Sequence, residues 1–148
     1  MKKNNKERFM VYTEEEKYYY ENNFYLTCDT SRIGKMLAHN ELYKKIINLS
    51  GAVVELGVFK GASLCRFAML RNLYEINSSR KIIGFDTFSG LTELSDKDSD
   101  ESPLAKKGAY AVDSYNDIQE CIKLYDSNRF LNHFPKIEII KGNAVETI

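Results

Sequence analysis

The sequence has 148 residues, in which 21 lysines and arginines balance 21 aspartates and glutamates, and 43% of the residues are hydrophobic. A chain of this length is typical of one domain and can bury a substantial core. The formal net charge of zero removes the electrostatic reason to expect nucleic acid or a membrane surface as the main partner. With 10 tyrosines and 8 phenylalanines, a largely disordered chain is also excluded.

No targeting segment is recognisable in the sequence. The basic start, residues 1–8, is not followed by the apolar run of a signal peptide, and no stretch approaches the ~20 apolar residues of a membrane span. Cys28, Cys65 and Cys121 are unevenly spaced and form no CxxC pair, which favours reduced thiols packed as small hydrophobic residues. We therefore expect a cytoplasmic protein.

Residues 1–50 form a predicted N-terminal helical segment. A capping box of Thr13 and Glu16 predicts a helix over about 14–26, and its many tyrosines and phenylalanines are typical of a packing face. Helical spacing of apolar residues predicts a second helical region over 31–48, with a break near 39–40 where Asn40 would cap a new turn.

After residue 50 the pattern changes to alternating strands and helices. Strands are predicted at 52–56, 81–85 and 136–141, helices at 62–76 and from a cap at Ser114 to about 125, and a polar surface loop at 92–107. This order implies two right-handed crossovers and a parallel sheet in the order 3-2-1 within residues 51–148. Such sheets usually continue beyond the first strand, so we expect either the N-terminal half of a larger domain or an edge covered by another chain.

The strongest local motif is the segment 55–63, ELGVFKGAS, which lies between a predicted strand and a predicted helix. Gly57 and Gly61 permit a sharp turn and a close ligand approach, and the helix start offers amides to a carboxylate or phosphate. The spacing is neither GxGxxG nor that of a P-loop. Glu55 at the strand end suits a ligand that carries an ammonium group and would repel a pyrophosphate.

Two further signals follow the next two strands. Asp86, at the end of the second strand, is placed to bind both ribose hydroxyls of a nucleoside. Asn143, after the third strand, could meet the amino edge of adenine, although Gly142-Asn143 is also an ordinary turn.

Other patterns have simpler interpretations. The alternating aspartates within 96–100 resemble the start of an EF-hand loop, but Glu101 stands where that loop requires glycine, so a solvated acidic loop is favoured. His39 and His133 have no second ligand at metal-binding spacing. From the residues of this chain we predict no metal site.

Taken together, the segments 53–63, 84–91 (GFDTFSGL) and 139–147 (IIKGNAVET) resemble class I S-adenosylmethionine-dependent methyltransferases. More narrowly, they are similar to the macrocin/mycinamicin O-methyltransferase family, which acts on sugar hydroxyls of natural products. The resemblance covers about residues 51–148. It implies an α/β fold, a Rossmann-like doubly wound parallel sheet truncated after the third strand and preceded by N-terminal helices, with S-adenosylmethionine as cofactor.

The resemblance also implies a set of cofactor contacts. Residues around the first turn would hold the methionine part, with Glu55 near the ammonium group and Gly61 with Ser63 at the carboxylate. This first set is Glu55, Gly57, Phe59, Lys60, Gly61 and Ser63. The second set would hold the nucleoside, with Asp86 on the ribose, Thr87 and Phe88 flanking it, and Asn143 with Ala144 lining the adenine pocket.

In the family, the magnesium-binding carboxylates and the catalytic base follow a fourth strand. We therefore assign no catalytic residue here and expect any Mg²⁺ to be held by residues not present in this chain. The expected partners are a small-molecule methyl acceptor and a second copy, bound through the N-terminal helices or the open sheet edge. The alternatives are a non-catalytic nucleoside-binding or interaction module and, disfavoured by Glu55, an enzyme of NAD or a nucleotide sugar.

Overall fold

The computed structural model describes residues 13–75, 80–94, 106–129 and 132–148. These segments contain three strands and five helices, which alternate from β1 onward. In chain order they are α1 (Glu14–Thr27), α2 (Thr30–Lys44), β1 (Val53–Leu56), α3 (Ala62–Tyr74), β2 (Ile82–Asp86), α4 (Tyr115–Ser127), β3 (Ile137–Lys141) and α5 (Ala144–Thr147).

The strands form a parallel sheet in the order β1-β2-β3, which confirms the predicted order. Val53, Ile82 and Ile137 stand side by side in the register and pack in one layer of the core. The core lies between this face of the sheet and helices α3 and α4, because its other buried members come from those helices and the loops before them. They are Val58, Leu64, Ala68, Phe88 and Ile118.

A glycine in the central strand lets this helical layer approach closely. A Cβ placed on Gly84 would lie 2.6 Å from the side chain of Val58 and 3.0 Å from that of Leu64. The turn after β1 therefore rests directly on β2. This contact fixes the height of the turn above the strand ends, where we predicted a ligand site.

The N-terminal helix α2 docks on α3. The ring of His39 stacks on Phe67 with centroids 4.7 Å apart, and the hydroxyl of Tyr74 donates a hydrogen bond of 2.7 Å to Asn40. The predicted break near 39–40 is wrong: α2 runs unbroken through these residues and ends at Lys44. Both side chains serve the contact with α3 instead of capping a new turn.

A buried arginine ties the turn after α2 to the sheet. The guanidinium of Arg80 donates to the carbonyls of Ile46, Leu49 and Gly51 at 3.0, 2.6 and 3.0 Å and pairs with the carboxylate of Glu75 at 2.9 Å. We call this set of contacts the Arg80 clasp. Its guanidinium donates to carbonyls that follow the end of α2, of which the carbonyl of Ile46 also accepts a bond from the N–H of Leu49 at 2.9 Å.

The capping box of α1 is confirmed, but its aromatic side chains do not form a packing face within the described residues. Tyr18, Tyr19 and Tyr25 are all exposed. The acidic segment 96–101 and most of the predicted loop lie outside the described residues.

The three cysteines are free thiols, all half-buried. Burial raises the pKa of Cys65 to about 11, so this thiol stays protonated at neutral pH. That state agrees with the predicted role of a reduced, packed side chain.

Candidate functional site

The turn between β1 and α3 has an unusual backbone. Gly57, Phe59 and Gly61 all have positive φ, of 85°, 54° and 81°. Glycine adopts this conformation freely, whereas phenylalanine does so at a cost. Gly61 is also crowded, since a Cβ there would lie 3.0 Å from Ile118 of α4.

Two side chains from other elements hold Phe59 in this conformation. The backbone N–H of Phe59 donates to Oδ2 of Asp86 at 2.7 Å, and its carbonyl accepts a 2.6 Å bond from the hydroxyl of Ser114. Helix α4 begins where we predicted, with Ser114 as its N-cap, but the side chain of Ser114 makes no capping hydrogen bond. The hydroxyl reaches across to the β1 turn instead.

Asp86 lies at the junction of all three strand ends. Its Oδ1 accepts a 2.7 Å bond from the N–H of Phe88, while its backbone carbonyl accepts from Gly142 at 2.9 Å. Together with the bond to Phe59, these contacts link the segments after β1, β2 and β3 to one residue. The carboxylate therefore shapes the site whether or not a ligand is present.

A pocket of about 440 Å³ opens at these carboxyl ends of the strands. Of the predicted cofactor residues, five line it: Gly57, Phe59, Asp86, Thr87 and Ala144. The other lining residues were not predicted; they are Phe85, Gly90, Leu91, Thr92, Glu93, Tyr110 and Gly142.

Six predicted cofactor residues do not line this pocket: Glu55, Lys60, Gly61, Ser63, Phe88 and Asn143. Phe88 is only 8% exposed and packs edge-to-face on Tyr115 in the core. Asn143 caps α5, with its side-chain oxygen accepting from the N–H of Val145 at 3.1 Å. The exposed Lys60 places its ammonium 5.5 Å from the ring of Phe59.

Glu55 and Ser63 form a separate polar pair under the turn. The hydroxyl of Ser63, in the first turn of α3, donates to Oε1 of Glu55. The other oxygen, Oε2, is buried and has no hydrogen-bond partner within the described part of the chain. Burial raises the pKa of Glu55, opposed by the Ser63 hydrogen bond and the positive charges of Lys35 and Arg66.

Among the residues that line the pocket, Tyr110 is the one furthest along the sequence from any predicted motif. It follows Gly108, and no spacing or repeat in the sequence connects it with Asp86. By contrast, Phe85, Gly90 and Leu91 belong to the motif 84–91, so the sequence could have identified them as pocket residues. Only the folded loop shows that Tyr110 reaches the same pocket.

Within the described residues, no group of three or more histidine, cysteine, aspartate or glutamate side chains is arranged to hold a metal ion. None of the helices in these same segments is both long and apolar enough to cross a membrane.

The solved structures that are similar to this chain include two of CalS11. A crystal structure of CalS11, calicheamicin methyltransferase, matches with a TM-score of 0.79 and 30% identity, over 85% of this chain and 50% of that chain. An apo structure of CalS11, described as TDP-rhamnose 3′-O-methyltransferase, an enzyme in calicheamicin biosynthesis, matches with a TM-score of 0.63 and 26% identity. That second match covers 85% of this chain and 48% of the other.

The chain thus spans about half the length of the solved structures it matches. Neither a protein-family model nor a curated protein matches the sequence. The structural matches confirm the expected fold class: the chain has a fold like that of class I S-adenosylmethionine-dependent O-methyltransferases, with a Rossmann-like parallel sheet.

Proposed function

We propose, from this methyltransferase fold, that the chain provides the cofactor-binding half of an S-adenosylmethionine-dependent O-methyltransferase. The observation that carries the proposal is the pocket at the carboxyl ends of three parallel strands, with Asp86 in its wall. Ligands of open α/β sheets bind at this edge, and an acidic residue at the end of the second strand suits a ribose.

The residues present fit the cofactor. The pocket volume of about 440 Å³ lies within the range of small-molecule sites. Each carboxylate oxygen of Asp86 accepts one backbone bond and keeps a second lone pair for a ribose hydroxyl. A Cβ on Gly57 would meet no atom within 4 Å, so the turn leaves open space above β1.

Glu55 lies under the turn, outside the pocket lining, and its buried Oε2 has no hydrogen-bond partner among the described residues. A carboxylate oxygen in that state is an acceptor suited to an ammonium group that approaches the turn. Bound S-adenosylmethionine would supply an electrophilic methyl group on a sulfonium. The contribution of this chain would be to bind and orient that group for attack, because positioning accounts for much of the acceleration in such transfers. As acceptor we propose a hydroxyl of a small molecule, in particular of a sugar, as in the named reaction of the CalS11 neighbour.

One observation favours a second candidate, a non-catalytic nucleoside-binding module. Both oxygens of Asp86 already accept backbone hydrogen bonds, so the residue has a structural role that needs no reaction. Two measurements distinguish the enzyme from the module: calorimetric binding of the nucleoside, and transfer of a labelled methyl group to sugar acceptors. A non-catalytic module would bind the nucleoside but transfer no methyl group.

The binding test is calorimetric titration of the chain with S-adenosylhomocysteine, with NADH as the control ligand. We expect binding of the first ligand alone. Asp86→Ala should weaken it roughly 10- to 100-fold, because hydrogen bonds to a charged group contribute about 1.5–3 kcal/mol. The matched control is Asp113→Ala, at an exposed position outside the pocket lining. Binding to neither ligand, or to NADH, would overturn the proposal.

A further inference from the structure

An aromatic residue, Tyr110, lies at the rim of the pocket. It lines the pocket together with Asp86 and Ala144, and 55% of the residue's surface is exposed to solvent. A large ring that stays open on a pocket wall offers a flat apolar surface to whatever enters.

The backbone that carries Tyr110 is held in place by a neighbouring loop. The N–H of Leu91 donates to the carbonyl of Ala109 at 2.9 Å, and the N–H of Gly108 donates to the carbonyl of Leu91 at 2.8 Å. The two segments lie so close that a Cβ on Gly90 would come within 2.2 Å of the carbonyl oxygen of Ala109. The segment 108–110 is therefore fixed against the loop that follows Asp86.

The backbone of Tyr110 has an unfavourable conformation. Its φ is 63°, a left-handed value that is uncommon for a residue other than glycine. Such conformations persist where the surrounding contacts impose them, and they occur often at ligand sites. Here the imposed conformation coincides with the pocket rim.

We propose that the ring of Tyr110 is the surface on which the base of the bound nucleoside stacks. This inference rests on the proposed function and extends it, because it assigns the base to the side of the pocket formed by the loop 90–91 and the segment 108–110. Asp86 holds the ribose within the same pocket. An aromatic ring stacks on the π-face of a base, and this contact depends little on the hydrogen-bonding groups at the edge of the base.

The test compares two ligands on two variants. S-adenosylhomocysteine carries the base, whereas S-ribosylhomocysteine has the same ribose and homocysteine without it. Tyr110→Ala should weaken binding of the first roughly 5- to 100-fold and leave that of the second within about twofold. Tyr110→Phe, which keeps the ring, should stay within about twofold for both. Alanine carries a Cβ as tyrosine does, so the loop backbone experiences the same left-handed cost.

Tyr18→Ala is the matched control, because this tyrosine is exposed on α1 and lies outside the pocket. Equal losses for both ligands would show that the loop had moved and would overturn the inference, as would unchanged binding of both. If the wild-type chain binds S-adenosylhomocysteine while Tyr110→Ala binds it equally well, the base contact alone is wrong. If the wild type binds neither ligand, the proposed function fails together with this inference.

Discussion

At the scale of single residues, the sequence identified Glu55 as a candidate site residue but did not predict the residues that surround it. Its place at the end of the first strand predicted an acceptor at the ligand site. The structure pairs it with Ser63 and leaves one buried oxygen without a hydrogen-bond partner in the described segments. Burial is a property of the packed α3 layer, which no local motif encodes.

The raised pKa of Glu55 makes stability depend on pH. The folded pKa lies above the ordinary value of 4.5, so the folded state binds more protons than the unfolded state between the two values. The stability that comes from this group is therefore complete below the ordinary value and is lost as pH rises through the raised one. Glu55→Gln, which cannot ionise, should escape that loss.

We expect the unfolding free energy of Glu55→Gln to exceed that of the wild type by about 1 kcal/mol at pH 8, because a neutral amide costs less to bury than a carboxylate. The difference should shrink as pH falls to 4. Urea denaturation across this range measures it, with Glu15→Gln on the exposed part of α1 as control. A difference that grows toward acid would contradict the assignment.

At the scale of elements, the helices and strands follow from apolar spacing and turn residues, and their predicted order is confirmed. The errors arise where a tertiary contact redirects a polar side chain. Asn40 bonds with Tyr74 of α3 instead of starting a new turn, and the hydroxyl of Ser114, the N-cap residue of α4, bonds with Phe59 instead of with the first turn of that helix. Local preference cannot reveal partners that lie 34 and 55 residues away.

The Arg80 clasp gives a prediction for the attachment of α2. Arg80→Met should lower the unfolding free energy by about 3 kcal/mol or more, because it leaves the largely buried carboxylate of Glu75 without its guanidinium and removes donors from three carbonyls. Chemical denaturation gives the value. Arg32→Met, exposed on α2, is the control.

Adding Glu75→Gln to Arg80→Met should restore part of the lost unfolding free energy, because the carboxylate charge that Arg80 had paired is then removed. If the double variant is less stable than Arg80→Met alone, charge pairing is not the origin of the effect.

At the scale of the whole molecule, one face of the sheet is covered by α3 and α4 while the first strand is open on the other. Val54 and Leu56 are 53% and 62% exposed, and β1 pairs only with β2 within the described residues. The parallel order could be predicted because crossovers have a fixed hand. The pocket could be predicted only in part, since its wall combines three strand ends with a distant loop.

An apolar strand at a sheet edge promotes association. We expect the chain to self-associate as its concentration rises, and Val54→Lys with Leu56→Lys to weaken that association roughly tenfold or more, because burial of an aliphatic side chain contributes about 1.5–3 kcal/mol. Sedimentation velocity over a concentration series measures this. Leu73→Lys, at an exposed leucine of α3, should have little effect. A monomer at high concentration would contradict the expectation.

The shared carboxylate of Asp86 also provides two spectroscopic reporters. The amide protons of Phe59 and Phe88 both point at it, although the two residues stand 29 positions apart in the sequence. The chain has 8 phenylalanines, so a sample labelled with nitrogen-15 at phenylalanine alone has at most 8 backbone amide signals. A ligand that reaches Asp86 would shift two of these signals together, and one spectrum would follow occupancy of the ribose position that we propose.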